Sequence, residues 1–207
     1  MPGERAADRH EFYRVAVPAP TPTEEKQLWR RWALDRRRSR PTGEIAAARA
    51  AIVGHLRAEL AGTSTVCGYL PLPTEPLSPE LPALLLAAGT RVLVPLTRPG
   101  AALDWADYTP ELTAGPFGIP EPTGPALGPA AAAGAEAVLI PALLVDARGT
   151  RLGRGGGHYD RTLPRLSGRR IAVLFDDELV DELPAEDFDA PVTAVVTPGG
   201  GLRGIGR

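Results

Sequence analysis

Residues 137–161 read AVLIPALLVDARGTRLGRGGGHYDR, an apolar run followed by a glycine-rich loop. The run 137–145 has the composition of a strand buried on both faces of a sheet, and a helix is predicted from Tyr159 to about Leu166. Glycine tolerates positive φ, which lets backbone N–H groups approach a ligand closely. A helix that begins at such a loop favours an anion, phosphate above all. The loop is therefore either a phosphate site or a structural glycine hairpin.

The loop does not match two widespread phosphate-binding fingerprints. No Gly-Lys-Ser/Thr follows at the spacing of a Walker A motif, and His158 stands where a dinucleotide fingerprint counted from Gly153 has its third glycine. Three arginines and Asp160 favour the phosphate site, because a bare turn needs neither charge.

Short apolar runs alternate with helical segments along the rest of the chain. Strands are predicted at 66–70, 91–96, 137–145, 170–175 and 192–196, with 103–108 as an edge strand in which Trp105 and Tyr108 are half-buried. Helices are predicted from an N-cap at Thr23, over about 43–60, and from a cap at Ser78 to about Ala88. This alternation predicts an α/β fold, a single three-layer domain with a mainly parallel sheet. We place the domain at 23–198, between flexible tails at 1–22 and 199–207.

Charge and composition exclude several classes of protein. The 207 residues carry a formal net charge of −2 and a pI near 6.0, which gives no general reason to expect nucleic acid or an anionic membrane as partner. No apolar run approaches the ~20 residues that span a bilayer, and no signal peptide is visible, so a cytoplasmic location is the default. The single cysteine, Cys67, has the apolar neighbours of a core residue. Nothing in the sequence requires more than a monomer.

Some single residues have two interpretations. Lys26 is the only lysine among 23 basic residues, so it either has a specific task or lies on a solvated helix face, where Arg30 follows one turn later. The run Arg36–Arg40 is either a nucleic-acid patch or a solvated face, and the second is favoured because aromatic residues are not interleaved. Phe117, in a proline-rich segment, either stacks on a flat ligand or anchors a surface crossing.

Five stretches occur in an order and spacing that extend from about Lys26 to Thr197. They are Lys26-Gln-Leu-Trp-Arg30, Glu75 in a loop after the first strand, Gly118-Ile-Pro-Glu-Pro122, Arg151-Leu-Gly-Arg-Gly-Gly-Gly-His-Tyr-Asp160 and Phe188-Asp-Ala-Pro191. Together they resemble the motifs of the 5-formyltetrahydrofolate cyclo-ligase (methenyltetrahydrofolate synthetase) family. The resemblance implies an open, Rossmann-like α/β sheet. It also implies ATP- and Mg²⁺-dependent conversion of 5-formyltetrahydrofolate, with or without a polyglutamate tail, to 5,10-methenyltetrahydrofolate, with release of ADP and phosphate.

The resemblance also implies roles for individual residues. Lys26 and Arg30 would contact ATP, and the loop would wrap its phosphates through Arg151, Leu152, Gly153, Arg154, Gly155, Gly156, Gly157, His158 and Tyr159. Arg151 and Arg154 would be the catalytic charge stabilisers, and Asp160 and Asp189 would hold Mg²⁺, which prefers oxygen ligands. The folate would be bound by Glu75, Leu72, Phe117 and Tyr159.

The chain departs from the commoner family pattern at four positions. Phe188 replaces a histidine, His158 a tyrosine and Trp29 a leucine, while Leu77 stands where an acidic residue is frequent. These departures motivate a second hypothesis, a non-catalytic ATP- or folate-binding protein on the same scaffold. A nucleic-acid binder that uses Arg36–Arg40 is the third.

Overall fold

The structure is a computed structural model that describes residues 21–206, apart from the side chain of Phe117. Residues 1–20 of the predicted N-terminal tail lie outside the described residues. The α-helices are α1 (Pro22–Ser39), α2 (Thr42–Glu59), α3 (Leu81–Ala87) and α4 (His158–Thr162). The strands are β1 (Thr65–Cys67), β2 (Arg91–Leu96), β3 (Asp104–Asp107), β4 (Leu112–Ala114), β5 (Pro120–Pro122), β6 (Ala137–Pro141), β7 (Leu144–Asp146), β8 (Arg151–Leu152), β9 (Arg169–Val173), β10 (Leu179–Val180), β11 (Ala194–Thr197) and β12 (Gly201–Gly204).

A seven-stranded sheet with the order β12-β11-β9-β6-β1-β2-β3 forms the centre of the domain. Its five inner strands are parallel, and only the edge strands β3 and β12 run antiparallel to their neighbours. Parallel strands need crossover connections and therefore lie buried between covering layers. The predicted α/β class with a mainly parallel sheet is confirmed.

The two faces of the sheet are covered differently. Successive strand residues point to opposite faces, so Leu139 joins a cluster with Ile52 and Leu56 of α2, whereas Ile140 joins a cluster with Leu163. The first face is covered by α2 and α3, and the second by short 3₁₀ turns and loops. Trp105 packs in this second cluster and is fully buried, so the prediction that it is half-buried is wrong.

The apolar run 137–145 is not one strand, as predicted, but two. β6 ends at Pro141, and β7 turns away to pair with β10 and β8 in a separate three-stranded sheet. Proline has no N–H to donate to a ladder, which explains why the central strand stops there. The turn carries the chain out of the main sheet and places the glycine loop, which follows β8, beside α1.

Three predicted boundaries differ from those of the structure. Residues 201–204 form β12 rather than a tail, because their backbone pairs with the edge strand β11. The N-cap of α1 is Thr21 rather than Thr23: its hydroxyl accepts from the N–H of Glu24, whose carboxylate in turn accepts from the N–H of Thr21, a complete capping box. The third helix begins at Leu81 rather than immediately after Ser78.

Helix α1 packs on the small sheet through one face. Ala33 is buried in a cluster with Leu143, Leu144 and Leu152, and Trp29 packs against the same cluster. Because residues three and four apart share a helix face, this contact also turns Lys26, Arg30 and Arg37 inward.

Arg37 shows that the Arg36–Arg40 run is not a uniformly solvated face. Its side chain is 1% exposed and donates to both carboxylate oxygens of Glu178 at 2.6 and 2.7 Å and to the carbonyl of Ala142 at 2.6 Å. The solvated-face interpretation is therefore wrong for Arg37, while Arg36 and Arg38 are exposed.

Candidate functional site

A cavity of about 500 Å³ opens at the carboxyl ends of β1, β2 and β6, the edge where open parallel sheets bind ligands. Tyr69 and Leu70 follow β1 into its wall, Thr97 follows β2, and Pro141 ends β6. Helix α1 and the glycine loop close the remaining sides. The structure thus brings three distant parts of the chain around one volume.

Every predicted site residue whose side chain is described lines this cavity. They are Lys26, Arg30, Leu72, Glu75, Arg151, Leu152, Gly153, Arg154, Gly155, Gly156, Gly157, His158, Tyr159, Asp160 and Asp189. The two interpretations of Phe117 both remain predictions, although Ile119 and Pro120, which follow it, line the cavity.

The glycine loop between β8 and α4 needs glycine at several positions. Gly155 has φ of +100°, and Gly157, the N-cap of α4, has φ of +67°, a region that disfavours side chains. At Gly153 a Cβ atom would lie 2.5 Å from Nη1 of Arg151, so a side chain there would displace this guanidinium. Arg30 reaches across from α1 and donates from Nε to the carbonyl of Gly153 at 3.0 Å. The loop is held against a cationic helix face.

Helix α4 is shorter than the sequence predicted. It ends at Thr162, and a 3₁₀ turn over Leu163–Arg165 replaces the expected continuation to Leu166. Pro164 lies inside this turn and cannot donate the N–H that a further helical turn requires.

Lys26 is neither solvated nor free. Its Nζ atom donates to Glu186 at 2.7 Å and to Asp189 at 2.6 Å, and the residue is 6% exposed. Burial lowers the pKa of Lys26, but the hydrogen bonds to Asp189 and Glu186 outweigh this effect and raise the pKa above its ordinary value. Lys26 is therefore an ammonium ion. The solvated-face interpretation of this lysine is wrong.

Two arginines, Arg151 of β8 and Arg154 of the glycine loop, are also paired with acidic residues. Arg151, 8% exposed, donates from Nη2 to Asp160 at 2.7 Å, and its guanidinium lies 5.6 Å from the ring centroid of Tyr159. Arg154 is more exposed and reaches over the cavity, where its Nε lies 3.5 Å from Oε1 of Glu75. The latter contact joins the predicted phosphate half of the site to the predicted folate half.

Both predicted Mg²⁺ ligands are carboxylates of this cavity, each with a cationic partner, Asp160 with Arg151 and Asp189 with Lys26. Within residues 21–206 no group of three or more His, Cys, Asp or Glu side chains is placed to hold a metal ion. Mg²⁺ in phosphate-transfer sites commonly takes one or two carboxylates and completes its shell with phosphate oxygens and water. The donor set fits Mg²⁺ bound together with a nucleotide, rather than a dedicated metal cage.

Glu75 is 5% exposed and is fixed by the loop around it. Its Oε2 atom accepts from the N–H of Leu72 at 3.0 Å. Arg49 of α2 donates to the carbonyls of Glu75, Leu72 and Pro73 at 3.1, 3.3 and 2.9 Å. A carboxylate held in this way is ready to accept hydrogen bonds from a ligand. Tyr69 and Tyr159 line the same cavity, and their hydroxyls are buried without a hydrogen-bond partner among the described residues.

Sequence reasoning missed Arg37, Arg49, Tyr69 and Glu186. Arg37 carried a detectable signal, because it follows Lys26 and Arg30 at the helical spacing that also buries Ala33. The other three have no local pattern that separates them from ordinary surface or core residues.

Two further predictions concern residues outside the charged site. Cys67 is fully buried, and burial raises its pKa to about 12, so the thiol stays protonated and packs as a core residue, as predicted. Among the helices of the described residues, none has the length and apolarity needed to cross a membrane.

Comparisons with known proteins agree with the motifs. The model of the 5-formyltetrahydrofolate cyclo-ligase family matches residues 22–198. A 5-formyltetrahydrofolate cyclo-ligase from Mycolicibacterium smegmatis is 42% identical over 190 residues, which cover 88% of this chain and 97% of that protein. The Escherichia coli cyclo-ligase is 35% identical over 134 residues, 61% of this chain and 71% of that protein.

A solved structure shares the fold. The NMR structure of the Aquifex aeolicus 5,10-methenyltetrahydrofolate synthetase superimposes with a TM-score of 0.74 at 25% sequence identity, covering 86% of this chain and 92% of that one.

Proposed function

The chain belongs to the 5-formyltetrahydrofolate cyclo-ligase family, and we propose that it converts 5-formyltetrahydrofolate to 5,10-methenyltetrahydrofolate with consumption of ATP in the presence of Mg²⁺. The observation that carries the proposal is the 3.5 Å contact between Arg154 of the glycine loop and Glu75. It supports a site in which a phosphate group and the folate meet in one cavity.

The reaction needs activation of a poor leaving group. The formamide oxygen of the substrate accepts the γ-phosphoryl group of ATP, forming an O–P bond while ADP departs. The lone pair of N10 then attacks the activated carbon, the C–O bond breaks, phosphate leaves, and the N10 proton is lost. Such a sequence requires positioning and charge stabilisation rather than a nucleophilic side chain.

The cationic residues of the cavity suit this requirement. We assign Lys26 and Arg30 to the nucleotide, and Arg151 and Arg154 to the charge that develops on the transferred phosphoryl group. Arg154 is suited to the latter task, because its side chain is 43% exposed and is attached to a loop of glycines. A guanidinium presents paired N–H donors that match phosphate oxygens.

The carboxylates divide into two groups. We assign Asp160 and Asp189 to Mg²⁺, which would neutralise phosphate charge in the bound nucleotide. Their charge is balanced by Arg151 and Lys26, which are also the proposed phosphate ligands. We assign Glu75 to the N–H donors of the pterin, with Leu72 and Tyr159 packing nearby.

Incubation of the purified protein with 5-formyltetrahydrofolate, ATP and Mg²⁺ tests the proposal. We expect methenyl product, followed by its near-ultraviolet absorbance, and loss of turnover when either ATP or Mg²⁺ is omitted. Binding of ATP and folate without product would instead establish the non-catalytic alternative.

Two contacts of Asp189 favour the enzyme over that alternative. Asp189, the residue next to the atypical Phe188, is held by Lys26 and by the N–H of Glu186 at 2.8 Å. Neither contact involves the side chain of Phe188, whose ring centroid lies 5.6 Å from Nζ of Lys26. Leu77, the other departure, is fully buried in the core and lies outside the cavity lining.

A further inference from the structure

Tyr69 combines deep burial with an unused polar group. It lies two residues after β1, is 4% exposed, and its ring packs in the core cluster with Leu70 and Leu77. Its hydroxyl is buried and has no hydrogen-bond partner within the described part of the chain. A buried hydroxyl without a partner destabilises the folded protein, so its persistence calls for another role.

Titratable groups of the cavity influence the hydroxyl of Tyr69. Burial raises the pKa of Tyr69 well above its ordinary value; the charge of Glu75 adds to this, Arg37 opposes it, and Tyr159 raises it further. Tyr69 lines the cavity together with Glu75, Arg37 and Tyr159. The Tyr69 hydroxyl is a neutral O–H donor that shares the cavity with the Glu75 carboxylate, an acceptor.

The chain itself associates Tyr69 with the substrate half of the site. Tyr69 precedes Glu75 by six residues on the segment that also carries Leu72, and Arg49 fixes this segment through three backbone carbonyls. The other unpartnered phenol, Tyr159, follows the glycine loop instead. A donor and an acceptor in one cavity match a ligand edge with the opposite pattern, a carbonyl next to an N–H.

We propose that the Tyr69 hydroxyl and the Glu75 carboxylate together recognise the lactam edge of the pterin ring, Tyr69 donating to the ring carbonyl and Glu75 accepting from the neighbouring N–H. The inference rests on the proposed function, since it assigns a further binding residue for the same folate. It makes Tyr69 a determinant of specificity for 4-oxo over 4-amino heterocycles.

The test compares two ligands and three proteins by equilibrium binding. The ligands are 5-formyltetrahydrofolate and its 4-amino-4-deoxy analogue, which lacks the ring carbonyl. The proteins are the wild type, Tyr69→Phe and a matched control, Tyr108→Phe, which alters a buried tyrosine outside the cavity lining. We expect Tyr69→Phe to bind 5-formyltetrahydrofolate about tenfold more weakly, equivalent to about 1.4 kcal/mol, and to bind the analogue and ATP as the wild type does. The control should bind all three ligands normally.

Thermal unfolding without ligand separates a binding role from a structural one. Because Tyr69→Phe keeps the ring and removes an unpartnered hydroxyl, its Tm should equal or exceed that of the wild type. A lower Tm would mean that the hydroxyl stabilises the fold, and would overturn the proposal.

The remaining outcomes also decide the question. Two outcomes would overturn the lactam assignment: Tyr69→Phe binds 5-formyltetrahydrofolate as tightly as the wild type, or the substitution weakens the binding of both ligands equally. In either case, turnover by the wild type would still support the proposed function. If the wild type neither binds nor converts the folate, both proposals fall together.

Discussion

Replacing Arg37 with methionine removes one of the charges that join α1 to the rest of the domain, while it keeps an apolar stem of similar length. The guanidinium contributes three hydrogen bonds, two to Glu178 and one to the carbonyl of Ala142. Both charged residues are almost completely buried, at 1% and 3% exposure. The substitution therefore leaves a buried carboxylate without its partner.

The loss of stability should be large. Breaking a buried ion pair by removal of one partner costs about 3–5 kcal/mol, against a total free energy of unfolding of about 5–15 kcal/mol for a domain. Arg37→Met should therefore unfold at a clearly lower urea concentration. ATP affinity should fall as well, because α1 also carries Lys26 and Arg30.

The penalty should depend on pH. Burial raises the pKa of Glu178 above its ordinary value, and the hydrogen bonds and charge of Arg37 oppose this rise. Without Arg37 the pKa rises further, so the folded variant holds its proton more tightly than the unfolded chain. The contribution of protonated Glu178 to the stability of the variant is fully present below the pKa that Glu178 has in the unfolded chain. This contribution is lost as pH rises through the higher pKa that Glu178 has in the folded variant. The defect should be greater at about pH 8 than at about pH 5.

Urea denaturation of four proteins at both pH values measures these effects. They are the wild type, Arg37→Met, the double variant Arg37→Met/Glu178→Leu, and Arg38→Met as a control on the exposed face of α1. The double variant should recover much of the lost stability, and the control should change it by about 0.5 kcal/mol or less. A loss below about 1 kcal/mol for Arg37→Met at the higher pH would refute the buried-pair reasoning.

Three further substitutions test the assigned ligands. Lys26→Gln should weaken ATP binding by about tenfold or more, since a charge-assisted contact is lost. The control Arg31→Gln makes the same charge change on the exposed side of α1 and should leave ATP binding unchanged. Equal effects of the two substitutions on the ATP affinity measured by calorimetry would contradict the assignment. Asp160→Asn should lose most turnover and need a higher Mg²⁺ concentration while it remains folded. The control is Asp181→Asn at an exposed position. A normal dependence of turnover on Mg²⁺ would show that Asp160 is not a metal ligand. Phe188→His should keep turnover within about threefold, and a much larger gain would show that Phe188 impairs the enzyme.

Much of the fold and of the site could be predicted from local patterns. Apolar runs of strand length separated by helical segments were enough for the α/β class and the mainly parallel sheet, because burial between two layers imposes that pattern. The glycine loop was recognisable for a related reason, since positive φ at Gly155 and Gly157 restricts those positions to glycine. The helical spacing of Lys26 and Arg30 likewise predicted a shared face.

Boundaries were less predictable where pairing with another segment decides them. The glycines of 201–204 have no strand propensity, yet they form β12 because β11 offers an unpaired edge. The apolar run at 137–145 shows the converse. It has no polar residue that marks a boundary, so one strand was predicted where the chain leaves the main sheet after Pro141.

The sequence by itself determined which apolar segments are buried and that the loop after β8 needs glycine, because both depend on neighbours within a few positions. Only the tertiary structure decided the charge partners: Lys26 meets Glu186 and Asp189 across 160 and 163 residues, and Arg37 meets Glu178 across 141. Periodicity specifies the face of a helix but not what lies opposite to it. For the same reason, only the folded chain shows that the Tyr69 hydroxyl is buried at a cavity without a partner among the described residues.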